Sequence, residues 1–262
     1  MSRALAGHAA LVGGGSRGLG YATAHALAAA GCDVALWSRD AARLAVAAER
    51  LSADCAVRVV TVVHDAADPS CAEAVVTAAS SGLGKIDIFV MNSGGPPVSD
   101  PTATSPATWR AAFQSVALAQ IEIATALLPG MRRDRFGRLV ALLSSGLRQP
   151  IPDLPYSNSC RAALALWMKS CVPVVAGDGV TINGILTGRI DTERARELDA
   201  ARASRTGREE RTVRSGREEE IPVGRYGRPE EIASLVSYLC SAQASYVTGA
   251  LIPVDGGLVG AL

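Results

Sequence analysis

Short, almost wholly apolar runs alternate with helical patterns from one end of the chain to the other, and this alternation constrains the fold more than any other feature. HAALV, DVALW, VRVVTVV, IDIFVM, RLVALL and TINGIL are the runs. A strand that is apolar on successive residues has no face to offer water. Only a parallel sheet covered on both sides by crossover helices buries it completely. GLGYATAHALAAAG, AARLAVAAERL, PSCAEAVVTAAS, a long helix near 106 to 131 and another from about 157 supply those crossovers. SYVTGALIPVDGG reads as a short final strand between turns. The expectation is an α/β fold: a single doubly wound Rossmann-type domain with a parallel sheet, spanning residues 1–262. One stretch, about 189–220, breaks the rhythm with dense Arg and Glu. It follows a strand-like run, where loops border the ligand crevice of open α/β sheets, so it is expected to be a charged lid.

A formal net charge of +1 gives no basic patch for nucleic acid or an anionic membrane surface, which leaves a small molecule as the expected partner. The six cysteines form no close Cys-x-x-Cys pair and the three histidines add no ligand spacing, so no metal site is expected. Free thiols, an N-terminus without a signal-peptide pattern and no stretch judged able to span a bilayer lead to the expectation of a cytoplasmic protein.

The first apolar run leads into VGGGSRGLG, residues 12–20, and a helix follows at once. Gly14, Gly18 and Gly20, with Ser16, Arg17 and Leu19 between and beside them, suit a turn whose amides approach a pyrophosphate at a helix N-terminus. The second run ends at Trp37 and is followed by Ser38 and Arg39, where a carboxylate would meet the free ribose hydroxyls of NAD. Two guanidinium groups, Arg17 and Arg39, flank that missing acid and suit a 2′-phosphate. The expected cofactor is NADPH.

These residues resemble the short-chain dehydrogenase/reductase family, particularly its ketoacyl-carrier-protein reductase branch, over essentially the whole chain. The glycine loop matches the family's TGxxxGxG motif with Gly13 in place of threonine. Asp65 matches the acid that meets the adenine, and MNSGG at 91–95, with Asn92, Ser93 and Gly94, stands where the family has Asn-Asn-Ala-Gly. LTGRIDT at 186–192 resembles the segment closing over the nicotinamide, with Gly188, Ile190 and Thr192 aligned and Thr187 replacing a proline. The resemblance implies a homotetramer or homodimer, with a heteromer containing an active paralogue as the alternative.

The family's active site pairs a serine with a tyrosine thirteen residues later, a lysine four beyond that, and an asparagine in the preceding long helix. Here Ser144 keeps the serine position, but Ser157, Arg161 and Val116 stand at the other three. Serine is far too weak and short an acid to replace a phenol, and arginine keeps the charge and a donor for ribose but passes on no proton. Tyr156, one residue early, is the substitute acid if the helix begins late; Ser157 and Tyr156 equally suit a helix start. Arg148 and Arg189, joining Arg161, are expected to make the crevice cationic and able to hold an acidic substrate. The first reading is an NADPH-dependent oxidoreductase acting on an activated carbonyl, enone, quinone or iminium. The alternatives are a non-redox dehydratase, isomerase or cyclase, and a non-catalytic nucleotide-binding subunit.

Overall fold

A computed structural model describes residues 3–261. Seven strands form one sheet: β1 (Ala9–Gly13), β2 (Asp33–Ser38), β3 (Val59–Val63), β4 (Ile88–Met91), β5 (Gly137–Leu142), β6 (Val180–Thr187) and β7 (Leu251–Val254). Their order is β3-β2-β1-β4-β5-β6-β7, and every neighbouring pair is parallel. The alternating apolar runs are therefore the strands of a doubly wound sheet, as the sequence implies. Because β1 pairs with both β2 and β4, the winding reverses between β1 and β4, and the crevice opens beyond the carboxyl ends of those two strands.

Successive residues of a strand point to opposite faces, and both faces are covered. Leu11, Ala35, Phe89 and Leu139 join Val75 and Ala79 of α3 (Cys71–Leu83), Ile123 and Leu127 of α5 (Ala119–Arg133), and Leu164 and Met168 of α6 (Pro155–Val175). On the other face Val12, Leu36, Val90 and Val140 meet Leu27 of α1 (Gly18–Ala29), Leu44 of α2 (Ala41–Asp54) and Val236 of α9 (Pro229–Cys240). Both clusters are closely packed and mostly aliphatic, with Phe89 and Trp37 in the first, so the strand ends they fix are rigid.

Two expectations need correction. Two helical stretches, Pro106–Arg133 of 28 residues and Pro155–Asp178 of 24, are long and apolar enough by length and composition to cross a bilayer, where the sequence reading found none. Their inner sides carry core residues such as Ile123, Leu127, Leu164 and Met168, which accounts for part of that apolarity. Nor is the long helix uniform. It runs as α4 (Pro106–Phe113), a π turn (Gln114–Leu118) and then α5. The π turn holds Val116, at the position where the related active sites carry asparagine.

The charged segment folds as a pair of helices, α7 (Glu193–Thr206) and α8 (Glu210–Glu219). Thr192 starts α7 by accepting the Ala195 amide at 3.2 Å. Buried Asp199 fixes the pair, taking Arg217 of α8 at 2.7 Å and the Tyr226 hydroxyl at 3.0 Å. Burial raises that phenol to about 12.

Candidate active site

The glycine loop lies at the winding reversal. Gly14 adopts a φ of +60°, in the left-handed region that favours glycine. A Cβ on Gly20 would sit 2.2 Å from the Gly14 carbonyl oxygen, so only glycine lets α1 start this close to the loop. Asn92, after β4, donates from Nδ2 to the Gly13 carbonyl at 2.9 Å and ties the two sides of the crevice together. No side chain caps the first turn of α1 and no acid lies in it, so its amides face the crevice with the positive end of the helix dipole. Ser16 and Leu19 are half-buried in this loop, while Ser93 is half-buried and Gly94 exposed in the loop after β4. The cradle fits a dinucleotide diphosphate.

At the end of β2, Ser38 accepts the Asp40 amide at 3.3 Å. Asp40, the nearest acid, is occupied elsewhere: it caps α2 through the Arg43 amide at 3.0 Å and pairs with the Arg43 guanidinium at 3.3 Å. Arg39 is largely exposed, 3.8 Å from Asp65, and Asp65 also accepts the Ala67 amide at 3.0 Å. Arg17 is not free. Its guanidinium donates to Glu193, and lies 3.3 Å from Glu197, both on α7. Arg43 reaches the same Glu193 carboxylate at 3.2 Å and is a cation that sequence reasoning missed, although its place in the first turn of α2 was a usable signal. Hydrogen bonding to Arg17 holds the Glu193 carboxyl below the ordinary range and raises the Arg17 guanidinium.

Past β6, Thr187 donates to the Leu143 carbonyl at 3.0 Å and the Gly188 amide to the Val254 carbonyl at 3.0 Å. Ile190 is buried and bridges to Gly227. The Thr192 methyl lies 3.6 Å from where a Gly18 Cβ would be, so the N-terminal cap of α7 rests against the glycine loop.

Ser144 stands at the end of β5 and accepts the Gly146 amide at 3.0 Å. The helix α6 begins at Pro155, not near 157, and this decides the fate of its first turn. Ser157 is buried and faces the crevice wall, where Arg161, one turn on, donates from Nε to its oxygen at 3.2 Å. Arg161 Nη1 donates to the Leu142 carbonyl. Burial pushes the Arg161 guanidinium down to about 10, so it remains a cation at neutral pH.

Tyr156 does not serve as the substitute acid. Its ring is packed edge-on against Trp109 at 4.7 Å, in a cluster with Ala112, Val116 and Cys160, and its hydroxyl accepts the Ser105 amide at 2.9 Å. The neighbouring position on a helix is rotated by about 100°, which carries the phenol away from Ser157. Two arginines are likewise misplaced by the sequence reading. Arg148 is exposed, and Arg189 is held by the Arg217 carbonyl of α8 and the carboxylate of Glu220, just past its end. Arg194, in the first turn of α7, donates to the Pro96 carbonyl, with its Nε 3.0 Å from where a Gly95 Cβ would lie.

A parallel sheet reversed at β1 and β4, with a glycine cradle at the reversal and a serine at the end of β5, defines a Rossmann-type dinucleotide-binding enzyme. A family model described as enoyl-(acyl carrier protein) reductase matches residues 14–259, and the chain belongs to this family, a branch of the short-chain dehydrogenases/reductases. It is an oxidoreductase by that membership. An acetoacetyl-CoA reductase of Shinella zoogloeoides is 31% identical over 250 residues, covering 95% of this chain and 97% of that one. The L-sorbose reductase of Gluconobacter frateurii, solved with NADPH and L-sorbose, superposes with a TM-score of 0.94 at 30% identity over 100% of both chains. A 3-oxoacyl (acyl-carrier-protein) reductase of Agrobacterium tumefaciens with NADP bound gives a TM-score of 0.88 at 26% identity, covering 97% of this chain and 95% of that one.

Proposed function

We propose that this chain is a cytoplasmic NADPH-dependent reductase of an activated substrate, an enone, quinone, iminium or similarly polarised carbonyl. The observation that carries the reading is the Arg161–Ser157 contact at 3.2 Å: the cofactor cradle is intact while the position of the family's phenol holds a serine bonded to an arginine. NADPH is supported as the cofactor by the cradle of Gly14 and Gly20, by Arg17, Arg39 and Arg43 around the end of β2, and by the NADPH held in the L-sorbose reductase. When bound, it supplies a hydride to carbon.

The chain's own residues then govern charge and proton. Arg161 fixes a positive charge where a carbonyl or enolate oxygen becomes negative, and it stays protonated while doing so. Ser144 accepts the Gly146 amide and keeps its hydroxyl proton to donate to that oxygen as a hydrogen bond. Ser157 has its oxygen engaged by Arg161 and is too weak an acid to protonate an alkoxide. This set stabilises a delocalised anion better than it creates an alcohol, which favours delivery of hydride to a conjugated carbon. The family's homodimer or homotetramer is proposed as the assembly, and the exposed Leu166 and Val174 of α6 are consistent with helix pairing between copies.

The test is NADPH oxidation across paired enones and simple ketones, with product mass. Gain of two hydrogens from the enones at rates well above those with the ketones is the expected result. Products of unchanged or dehydrated mass would replace the reading with non-redox chemistry.

A further inference from the structure

A chain of ion pairs runs from the glycine loop to the opposite wall of the crevice, and its acids both belong to α7. The Glu193 carboxylate takes Arg17 of the glycine loop and, at 3.2 Å, Arg43 of α2. One turn on, the Glu197 carboxylate is divided between two cations. Its Oε1 lies 3.3 Å from Arg17 and its Oε2 lies 3.4 Å from Arg194, whose guanidinium also donates to the Pro96 carbonyl in the loop after β4. One carboxylate thus joins a cation of the cofactor cradle to a cation seated on the far wall.

The two halves of α7 are held differently. Its buried residues, Asp199 and Ala203, both lie in the second half. There Asp199 takes Arg217 at 2.7 Å, and Arg202 and Arg205 take Asp153 at 2.9 and 2.8 Å. The first half buries no residue, and apart from the Arg194 bond to Pro96 its side-chain ties to the rest of the protein are the pairs with Arg17 and Arg43. Those are the guanidinium groups that suit a 2′-phosphate. A phosphate brings more charge and more acceptor oxygens than a carboxylate, and like charges at contact distance repel, so the two anions exclude one another there.

Resting on the NADPH reading above, we propose that the first half of α7 is a latch closed on the cofactor's own arginines. A 2′-phosphate arriving at Arg17 and Arg43 displaces Glu193 and Glu197, which leaves residues 193–198 held to the body by Arg194 alone while 199–206 stay anchored. Opening of this segment, and with it access along the wall after β4, follows the arrival of the phosphate. Cofactor is therefore taken up before substrate.

The experiment is limited trypsin digestion of the full chain at fixed ionic strength, with the cuts located by mass. Adenosine 2′,5′-bisphosphate and adenosine 5′-monophosphate are the probes, since neither carries a nicotinamide that would itself touch α7. Saturating bisphosphate is expected to speed cleavage after Arg194 and Arg196 by about fivefold or more, the combined worth of several exposed ion pairs, because cleavage tracks the population of the opened segment. The monophosphate should leave it within about twofold, and cuts after Arg202 and Arg205 should not respond to either probe. The double variant Glu193→Gln/Glu197→Gln, whose side chains are part-exposed and whose folding is checked by its melting curve, should be cut at the faster rate without any nucleotide and gain nothing from the bisphosphate. Unchanged or slower cleavage with the bisphosphate shown by calorimetry to be bound, or a double variant that still responds, would overturn the latch and leave the cofactor reading standing. A bisphosphate that binds no more tightly than the monophosphate would overturn both.

Discussion

The Arg17 guanidinium of the glycine loop is bonded to the Glu193 carboxylate of α7, 176 residues further along the chain. A 2′-phosphate bound at Arg17 and Arg43 must share or displace that carboxylate, since Arg43 also lies 3.2 Å from it. On the proposed reading, Glu193 competes with that phosphate for the two guanidinium groups.

Glu193→Gln should tighten NADPH binding by about two- to fivefold, the value of an exposed ion pair, and change NADH binding less. Fluorescence titration of both nucleotides measures it. An unchanged NADPH affinity would show that the carboxylate and the phosphate do not meet.

Tyr156→Phe should leave turnover within about twofold of the parent. Its hydroxyl accepts a backbone amide at 2.9 Å and points away from Ser157, so the change removes a structural hydrogen bond worth about 1 kcal/mol. A lower melting temperature with normal kcat is the expected pair of results. A loss of about 10²-fold or more in kcat would make Tyr156 a proton donor after all.

Glu231 accepts the Arg228 amide at 2.7 Å and pairs with Arg225 at 2.8 Å, closing the first turn of α9, and these contacts lower its carboxyl to about 2 from the usual 4.5. A carboxyl depressed on folding adds stability above its unfolded pKa, and that stability is lost as the pH falls through the folded value. Glu231→Gln should therefore melt below the parent at neutral pH, with the difference shrinking between about 4.5 and about 2. A difference independent of pH over that window would mean that charge is not what Glu231 contributes.

The strands were legible because they are apolar on both faces, and a chain has few other reasons to write such runs. The glycine loop was legible because its local conformation demands glycine. Ser157 and Arg161 were rightly read as neighbours, since a spacing of four residues is one turn of any helix. Tyr156 was misread because its direction depends on where α6 starts, and Pro155 sets that start one residue before it. Arg189 and Arg194 lie five residues apart in one charged stretch, and only the docking of α7 and α8 decides which faces the crevice. No local pattern encodes a partner as distant as that of Arg17.

The helix α7 is fastened at separate points: Glu193 to the glycine loop, Arg194 to the loop after β4, and Arg202 and Arg205 to Asp153. Most of these ties involve part-exposed charges, each worth little alone and weakened by dissolved ions. Dissolved salt is expected to weaken the ion pairs of α7 together, while the Arg194 bond to the Pro96 carbonyl and the buried Asp199–Arg217 pair are left nearly unchanged.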